Sequence, residues 1–304
     1  MTGGAAGPGG TADSVGNGGP GGSGAGSMFG YDEAVTSRYP AIRAGVIHVT
    51  GVSNGPSPPG LLAEYAAGQR AACARLAATP IADLPSIAAW RRAFTAFGAK
   101  PTQYRNAAEA LLRRLAKQGD IPALNTLVDI GNLVSIRYAM PVAMFDRAGL
   151  AASITVRFAT GAERFADLGS SGNVHPDPGE VIFTDDAGVV AARRWCWRQS
   201  AHSATGASTT EALIVTEGLH DTAGADVTAA VSDLTALLAA YQPRARLTAY
   251  ALPSPPAERD RSRRPPPPTA TAEPLISRLH DFAERPGDPE ISICEIEARH
   301  LPAT

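Results

Sequence analysis

The order of hydrophobic periods along this chain predicts an α+β fold in which one large mixed β-sheet is flanked by helices. Three observations carry that prediction. Apolar residues recur at helical spacing between residues 61 and 137, and they alternate with period two from Pro141 to about residue 220. A last helical stretch at 225–241 then precedes a strand-like run at 245–252. Helices in one block and strands in another belong to α+β architectures rather than to strict β–α alternation.

The elements follow in order. "AGVIHVTGV" (44–52) is β-rich and opens the domain as a strand, and "SNGPSPPG" is a turn-rich loop. Residues 61–78 are Ala-rich and helical, and 85–97 form a second helix that ends at Gly98. In "NAAEALLRRLAKQG", Asn106 and Glu109 have capping-box spacing, Ala108, Leu111, Leu112 and Leu115 make one apolar stripe, and Gly119 ends the helix. Pro122 starts the helix that carries "VDIGNLVSIRYAM". Beyond Pro141, "ASITVRFAT", "ERFADLG", "EVIFTDD", "VVAARRWCWRQS" and "TEALIVTEGL" read as strands separated by Gly, Pro, Asp and Asn turns. In 225–241, Val227, Val231, Leu234, Leu238 and Tyr241 recur by four and three, and "ARLTAYAL" closes the domain as a strand.

The ends of the chain differ in composition. Residues 1–28 are almost wholly Gly, Ala, Ser, Pro and Thr, too poor in apolar surface to offset ordering entropy, and are expected to be a disordered tail. They lack the basic and apolar regions of a signal peptide, and their glycines follow no strand. Residues 253–274 form a Pro-rich linker that favours extended polyproline conformations, and 275–304 are an extension with room for one short helix and one short strand. Residues 29–252 then form a single domain, with both tails expected to be dispensable for its folding.

Composition also narrows the partners. No apolar run approaches the roughly 20 residues of a membrane span, so no membrane partner is expected. Cys73, Cys196 and Cys294 are odd in number and widely spaced, which suits a reducing cytoplasm better than a disulfide framework. None of the six His has metal-ligand spacing, and no cofactor is implied. A net charge of −2 supplies no global positive field, so no DNA partner is expected, and RNA would have to be held by local patches. Those patches are Arg91–Arg92, Arg113–Arg114, and Arg193–Arg194 with Arg198.

Three stretches hold candidate site residues. "FGAKPTQYRNAAE" (97–109) feeds a helix N-terminus, which either binds an anion or merely joins a loop to a helix. In "VDIGNLVSIRYAMPVAMFD" (128–146), Asp129 and Asn132 share a helix face, either bridging helix to sheet or facing a pocket. In "RRWCWRQS" (193–200), a continuous strand puts Trp195, Trp197 and Gln199 on one face and Arg194, Cys196 and Arg198 on the other.

The order of these blocks carries a resemblance. Val128, Asp129 and Asn132, followed by Pro141, Phe145 and Asp146, resemble the Val-Asp-x-x-Asn to Pro-x-x-x-Phe-Asp segment of the phenylalanyl-tRNA synthetase beta subunit, in its B3/B4 domain. With "FGAKP", "EALLRR" and "RRWCWRQS" in the same order, residues 40–250 are similar above all to free-standing B3/B4 proteins of bacteria. The resemblance implies a mixed sheet with a central pocket. It also implies hydrolysis, in trans, of the ester of a mischarged aminoacyl-tRNA. The partners would be tRNA, aminoacyl-tRNA or a free amino acid. The chain has no class II synthetase motif and is not expected to charge tRNA. The alternative is a non-catalytic tRNA- or amino-acid-binding module.

The resemblance extends to site residues. Asn132 and Gln199 are expected to be catalytic, as donors to an oxyanion, with backbone N–H groups near Gly169–Gly172. Asp129, Asp146, Trp197, Arg198, Thr209, Thr216 and Glu217 are expected to bind substrate. Ala143 stands where editing pockets commonly carry a His. Thr216 stands where they carry a Glu, and Glu217, its neighbour, faces the other way along the strand. Asn132, Trp197 and Gln199 are expected to form one site.

Overall fold

A computed structural model describes residues 28–169 and 172–252. The expected disordered tail, Pro-rich linker and C-terminal extension, apart from Met28, lie outside the described residues. The strands are β1 (Phe29–Tyr31), β2 (Arg43–Thr50), β3 (Val142–Asp146), β4 (Ile154–Phe158), β5 (Phe165–Ala166), β6 (Asn173–Val174), β7 (Val181–Asp185), β8 (Val190–Arg193), β9 (Arg198–Gln199), β10 (Glu211–Gly218) and β11 (Arg246–Leu252). The helices are α1 (Glu33–Arg38), α2 (Pro59–Ala78), α3 (Pro85–Ala96), α4 (Ala107–Gln118), α5 (Thr126–Tyr138) and α6 (Ala223–Tyr241).

The class is α+β, and among the described residues the strands are divided among three sheets rather than one. A four-stranded sheet runs β11-β2-β10-β3, a five-stranded sheet runs β1-β4-β7-β8-β9, and β5-β6 form a small ribbon. β10 is the centre of the first sheet, antiparallel to β2 and to β3. Its alternate residues serve two cores. Ala212 and Ile214 pack with Ile47 and Val49 against α2, α4, α5 and α6, whereas Leu213 and Val215 pack with Ala44 and Val46 toward Trp90, Phe183 and Trp195. The four-stranded sheet is therefore the middle layer, covered by helices on one face and by the five-stranded sheet and α3 on the other. Alternation within each strand is what allows one sheet to fill both cores.

Local signals set the helix ends. The Asn106 side chain accepts from Glu109 N at 3.0 Å, and Gly119 closes α4 in the left-handed region at φ 84°. α5 begins at Thr126 rather than at Pro122. Asn125 caps it by accepting from Val128 N at 3.0 Å, and Asp129 holds the approaching loop through Leu124 N at 2.9 Å. Among the described residues, α6 is long and apolar enough to cross a bilayer by composition. Here it is a core helix: Val227, Ala230, Leu234 and Leu238 are buried with the β2 and β10 side chains.

"RRWCWRQS" is not one strand. β8 ends at Arg193, residues 194–197 turn, and β9 resumes at Arg198, with Ala192 opposite Gln199. Arg194 and Trp195 both have positive φ, 43° and 58°, a conformation that reverses the chain. The expected two-face alternation is lost across the turn.

Backbones meet closely beside this hairpin. A Cβ on Gly149 would lie 1.9 Å from the His202 carbonyl oxygen, whereas nothing lies within 4 Å of a Cβ on Gly224 in the first turn of α6. Gly149→Ala should therefore cost roughly 1–3 kcal/mol of unfolding free energy by overpacking. Gly224→Ala should be neutral or stabilising, by up to about 1 kcal/mol. Chemical denaturation of the two variants checks the contrast.

Candidate functional site between the two sheets

A small cavity lies between the four-stranded and five-stranded sheets. Val142 and Ala143 of β3, Val215 and Glu217 of β10, Phe183 of β7 and Ala192 of β8 line it, and Ala107, Pro141, Cys196 and Gln199 complete it. Its volume is about 10 Å³, the room of one water molecule. Its walls are mainly aliphatic and aromatic, so the one carboxyl among them stands out.

That group is Glu217, which is 2% exposed. Its Oε1 accepts from the Tyr31 hydroxyl at 2.5 Å and from the Trp195 indole N–H at 3.0 Å. Both donors are neutral. Burial pushes the carboxyl up to about 7, against the smaller opposing effect of the two hydrogen bonds. With Oε1 taken twice, Oε2 is the oxygen left to the cavity. The Tyr31 phenol is pushed well above its ordinary value, by burial first and then by the Glu217 charge. The Cys196 thiol is raised in the same way, by burial first, so it stays a thiol and not a nucleophilic thiolate.

Of the residues expected to form the site, the structure brings Gln199 and Glu217 to this cavity. Gln199 is not the donor it was expected to be. Its Nε2 donates to the Met144 and Ser203 carbonyls, both at 2.7 Å, so both amide hydrogens are spent and only Oε1 is left to accept. Asn132 is buried on α5, whose apolar side chains belong to the helix-side core, and it does not line the cavity. The single site expected from Asn132, Trp197 and Gln199 is thus not assembled, because the middle sheet stands between them.

The other expected residues have structural partners. Asp129 is fully buried and accepts from the Ser57 hydroxyl at 2.5 Å and from Leu124 N at 2.9 Å, which makes it a bridge between loops. Asp146 and Thr209 are brought together at 2.6 Å, but at the far end of β3 from Ala143. Asp146 also takes Ala148 N at 2.8 Å, and Thr209 takes Gly206 N at 2.9 Å, so the pair ties two turns. Thr216 faces α6: its methyl lies beside Gly45 together with Val227 and Val231. Strand parity therefore turns Glu217, not Thr216, into the cavity.

Trp197 ends the hairpin turn and Arg198 opens β9. Trp197 meets Tyr104 edge-on at 4.9 Å, and the Arg194 guanidinium sits 3.8 Å from the Tyr104 ring centre and 4.7 Å from that of Trp197. Arg198 lies 4.6 Å from the Trp197 ring centre and pairs with Asp167 at 2.5 Å. Arg193 pairs with Glu180 at 2.8 Å, and Arg194 with Asp177 at 3.5 Å. The basic patch expected here is therefore largely neutralised. Of the backbone near Gly169–Gly172, residues 170–171 lie outside the described residues. Among the described residues, no group of three or more His, Cys, Asp and Glu is placed to hold a metal ion.

Residues 89–233 match the B3/4 domain family. That segment is thus B3/4-like. The match runs from the middle of α3 into α6 and holds every residue that lines the cavity. An N-terminal fragment of the phenylalanyl-tRNA synthetase beta subunit from Pyrococcus horikoshii superposes on 75% of this chain with 10% identity and a TM-score of 0.41. The chain spans 54% of that fragment. No curated protein matches the chain.

Sequence reasoning missed Tyr31. β1 is only three residues long and follows directly on the Gly-rich stretch, so it shows no period. The usable signal was the aromatic pair in "FGYDE", with Asp32 accepting from Ala34 N at 2.8 Å as the cap of α1.

The buried Glu217 makes the stability of the domain depend on pH. Its folded value of about 7 lies above an ordinary 4.5, so the folded state holds a proton that the unfolded state releases. The stability this contributes is fully present below about pH 4.5 and is lost as pH rises through about 7. The loss is on the order of 3 kcal/mol. Glu217→Gln should flatten the fall in unfolding free energy between pH 5 and 8, measured by denaturant titration at each pH.

Proposed function

We propose that this B3/4 domain acts in trans on aminoacyl-tRNA, hydrolysing the ester that joins a wrongly attached amino acid to its tRNA. One observation carries the reading. A carboxyl with a value of about 7 sits at a water-sized cavity with one oxygen anchored and the other unengaged. That is what a general base working near neutral pH requires.

In this mechanism the Glu217 carboxylate takes a proton from a water in the cavity as the water oxygen attacks the ester carbonyl carbon. The tetrahedral intermediate collapses with release of the ribose oxygen, which takes back the proton held by Glu217 as the carbon–oxygen bond breaks, so the carboxylate is regenerated. Cys196, held as a thiol, forms no acyl intermediate, so the reaction is a direct attack by water. The aliphatic walls keep the base desolvated, and this maintains its value near neutrality. The partner class, aminoacyl-tRNA, is supported by the resemblance of the 128–146 block to the synthetase editing segment.

Binding without turnover is the second reading. It is favoured by the Gln199 amide, whose two hydrogens are committed to carbonyls and so cannot stabilise an oxyanion.

A panel of mischarged tRNAs separates the two. Hydrolysis predicts that at least one loses its amino acid faster with protein than without it, and that the rate rises with pH through about 7 and then levels. Glu217→Gln should lower that rate roughly 100-fold or more. tRNA binding with no deacylation anywhere in the panel would establish the binding module instead. In either case the affinity for tRNA should fall only gently with salt, because Glu180, Asp177 and Asp167 already neutralise the arginines of the hairpin. Affinities measured at several ionic strengths give the slope.

A further inference from the structure

The segment that matches the B3/4 family does not contain everything that touches Glu217. β1 lies 58 residues before its start: Tyr31 precedes position 89 and belongs to the five-stranded sheet. β1 pairs in parallel with β4, Phe29 opposite Ile154 and Tyr31 opposite Val156, and Asp32 N extends the contact to Val156 O at 2.9 Å. Phe29 is fully buried, edge-on to Tyr31 at 5.5 Å and tilted against Phe183 at 5.8 Å. Phe183 is itself a wall of the cavity. The strand is thus anchored through the core at the point where Tyr31 meets Glu217.

We infer that Tyr31 is a positioning residue of the Glu217 site: from a strand outside the B3/4 segment, its hydroxyl holds one carboxylate oxygen and leaves the other turned to the cavity. The inference rests on the reading of Glu217 as the base. The physical argument is orientational. A carboxylate with a single donor can rotate about its last bond and exchange its two oxygens. Two donors converging on one oxygen, a phenol at 2.5 Å and an indole at 3.0 Å, remove that freedom. The indole belongs to Trp195, fully buried between Trp90 and Tyr39 at ring distances of 5.1 and 5.0 Å, so this donor cannot follow a rotating carboxylate. Burial and the Glu217 charge keep the phenol protonated, so it stays a donor throughout the range in which Glu217 titrates. Each donor also favours the ionised carboxylate, so a lost phenol both loosens the base and makes it harder to ionise.

The test reads Glu217 directly. The full chain is labelled with glutamate carrying ¹³C at the side-chain carboxyl, Glu217→Gln assigns the resonance, and the wild-type midpoint is compared with that of Tyr31→Phe. Tyr31→Phe should raise the midpoint by about half a unit or more. Replacing all seven tyrosines by 3-fluorotyrosine makes a stronger donor of nearly native size and should lower it. The fluorotyrosine protein decides the matter if Tyr31→Phe loses its cooperative melt. A midpoint unmoved in the variant that folds overturns the inference. In deacylation, Tyr31→Phe should lower the rate and shift its pH midpoint upward with the carboxyl. It should cause no further loss in a Glu217→Gln background, and an additive loss there would show that Tyr31 does not act through Glu217. A wild-type chain that deacylates nothing sinks the hydrolysis reading, whereas an unmoved ¹³C midpoint sinks the role of Tyr31, so the two failures are told apart.

Discussion

The pairing of β2 with β10, buried on both faces, is the constraint on which the rest of the molecule depends. The two strands align over eight residues, from Glu211 opposite Thr50 to Gly218 opposite Arg43. Every second side chain enters the helix-side core and every other one the core between the sheets. A slip of one residue would exchange the two sets. The same parity sends Thr216 toward α6 and Glu217 into the cavity, so the site is a consequence of register as much as of residue type.

What Glu217 becomes depends on the charges that are absent from its surroundings. At Glu163, burial also pushes the carboxyl up, but Thr160 N–H, the Arg157 guanidinium and the Thr160 hydroxyl outweigh it and bring the value down to about 2. Glu109 is buried between Arg91 at 3.4 Å and Arg113 at 2.9 Å, and Glu180 holds Arg193 at 2.8 Å. Glu217 has a phenol and an indole as its hydrogen-bond donors, with the Cys196 thiol nearby, and burial prevails. One residue type therefore acts as a structural anion in three places and as a group poised near neutrality in the fourth. The hairpin arginines illustrate the converse, since stacking and acidic partners turn an apparent basic patch into a staple for the β8–β9 turn.

Much of the fold was legible because its signals are local. The Asn106 cap, the Gly119 stop and the apolar stripe of α4 all act within a few residues of one another. Composition and apolar spacing marked α2, α3 and α6, whose N-termini have no side-chain cap. Alternation likewise marked β4, β7 and β10, whose faces meet different layers. The division into separate sheets was not legible, because strand order depends on which edges meet, and period two is the same in any order. The hairpin failed for a different reason: two consecutive residues at positive φ reverse a segment that reads as an unbroken strand.

By itself the sequence determined the α+β class, both ends of α4, the block order that resembles a B3/B4 domain, and the presence of Ala143 and of Glu217 next to Thr216 along the chain. Each of these rests on spacing along the chain, which is fixed before folding. Only the tertiary structure decided that Glu217 and Gln199 share a cavity, that Asn132, Asp146 and Thr209 do not, and that a tyrosine 186 residues away from Glu217 completes the carboxylate's contacts. The physical reason is that a carboxyl takes its chemistry from its neighbours in space. Their distance, charge and access to water arise only when two sheets close over it.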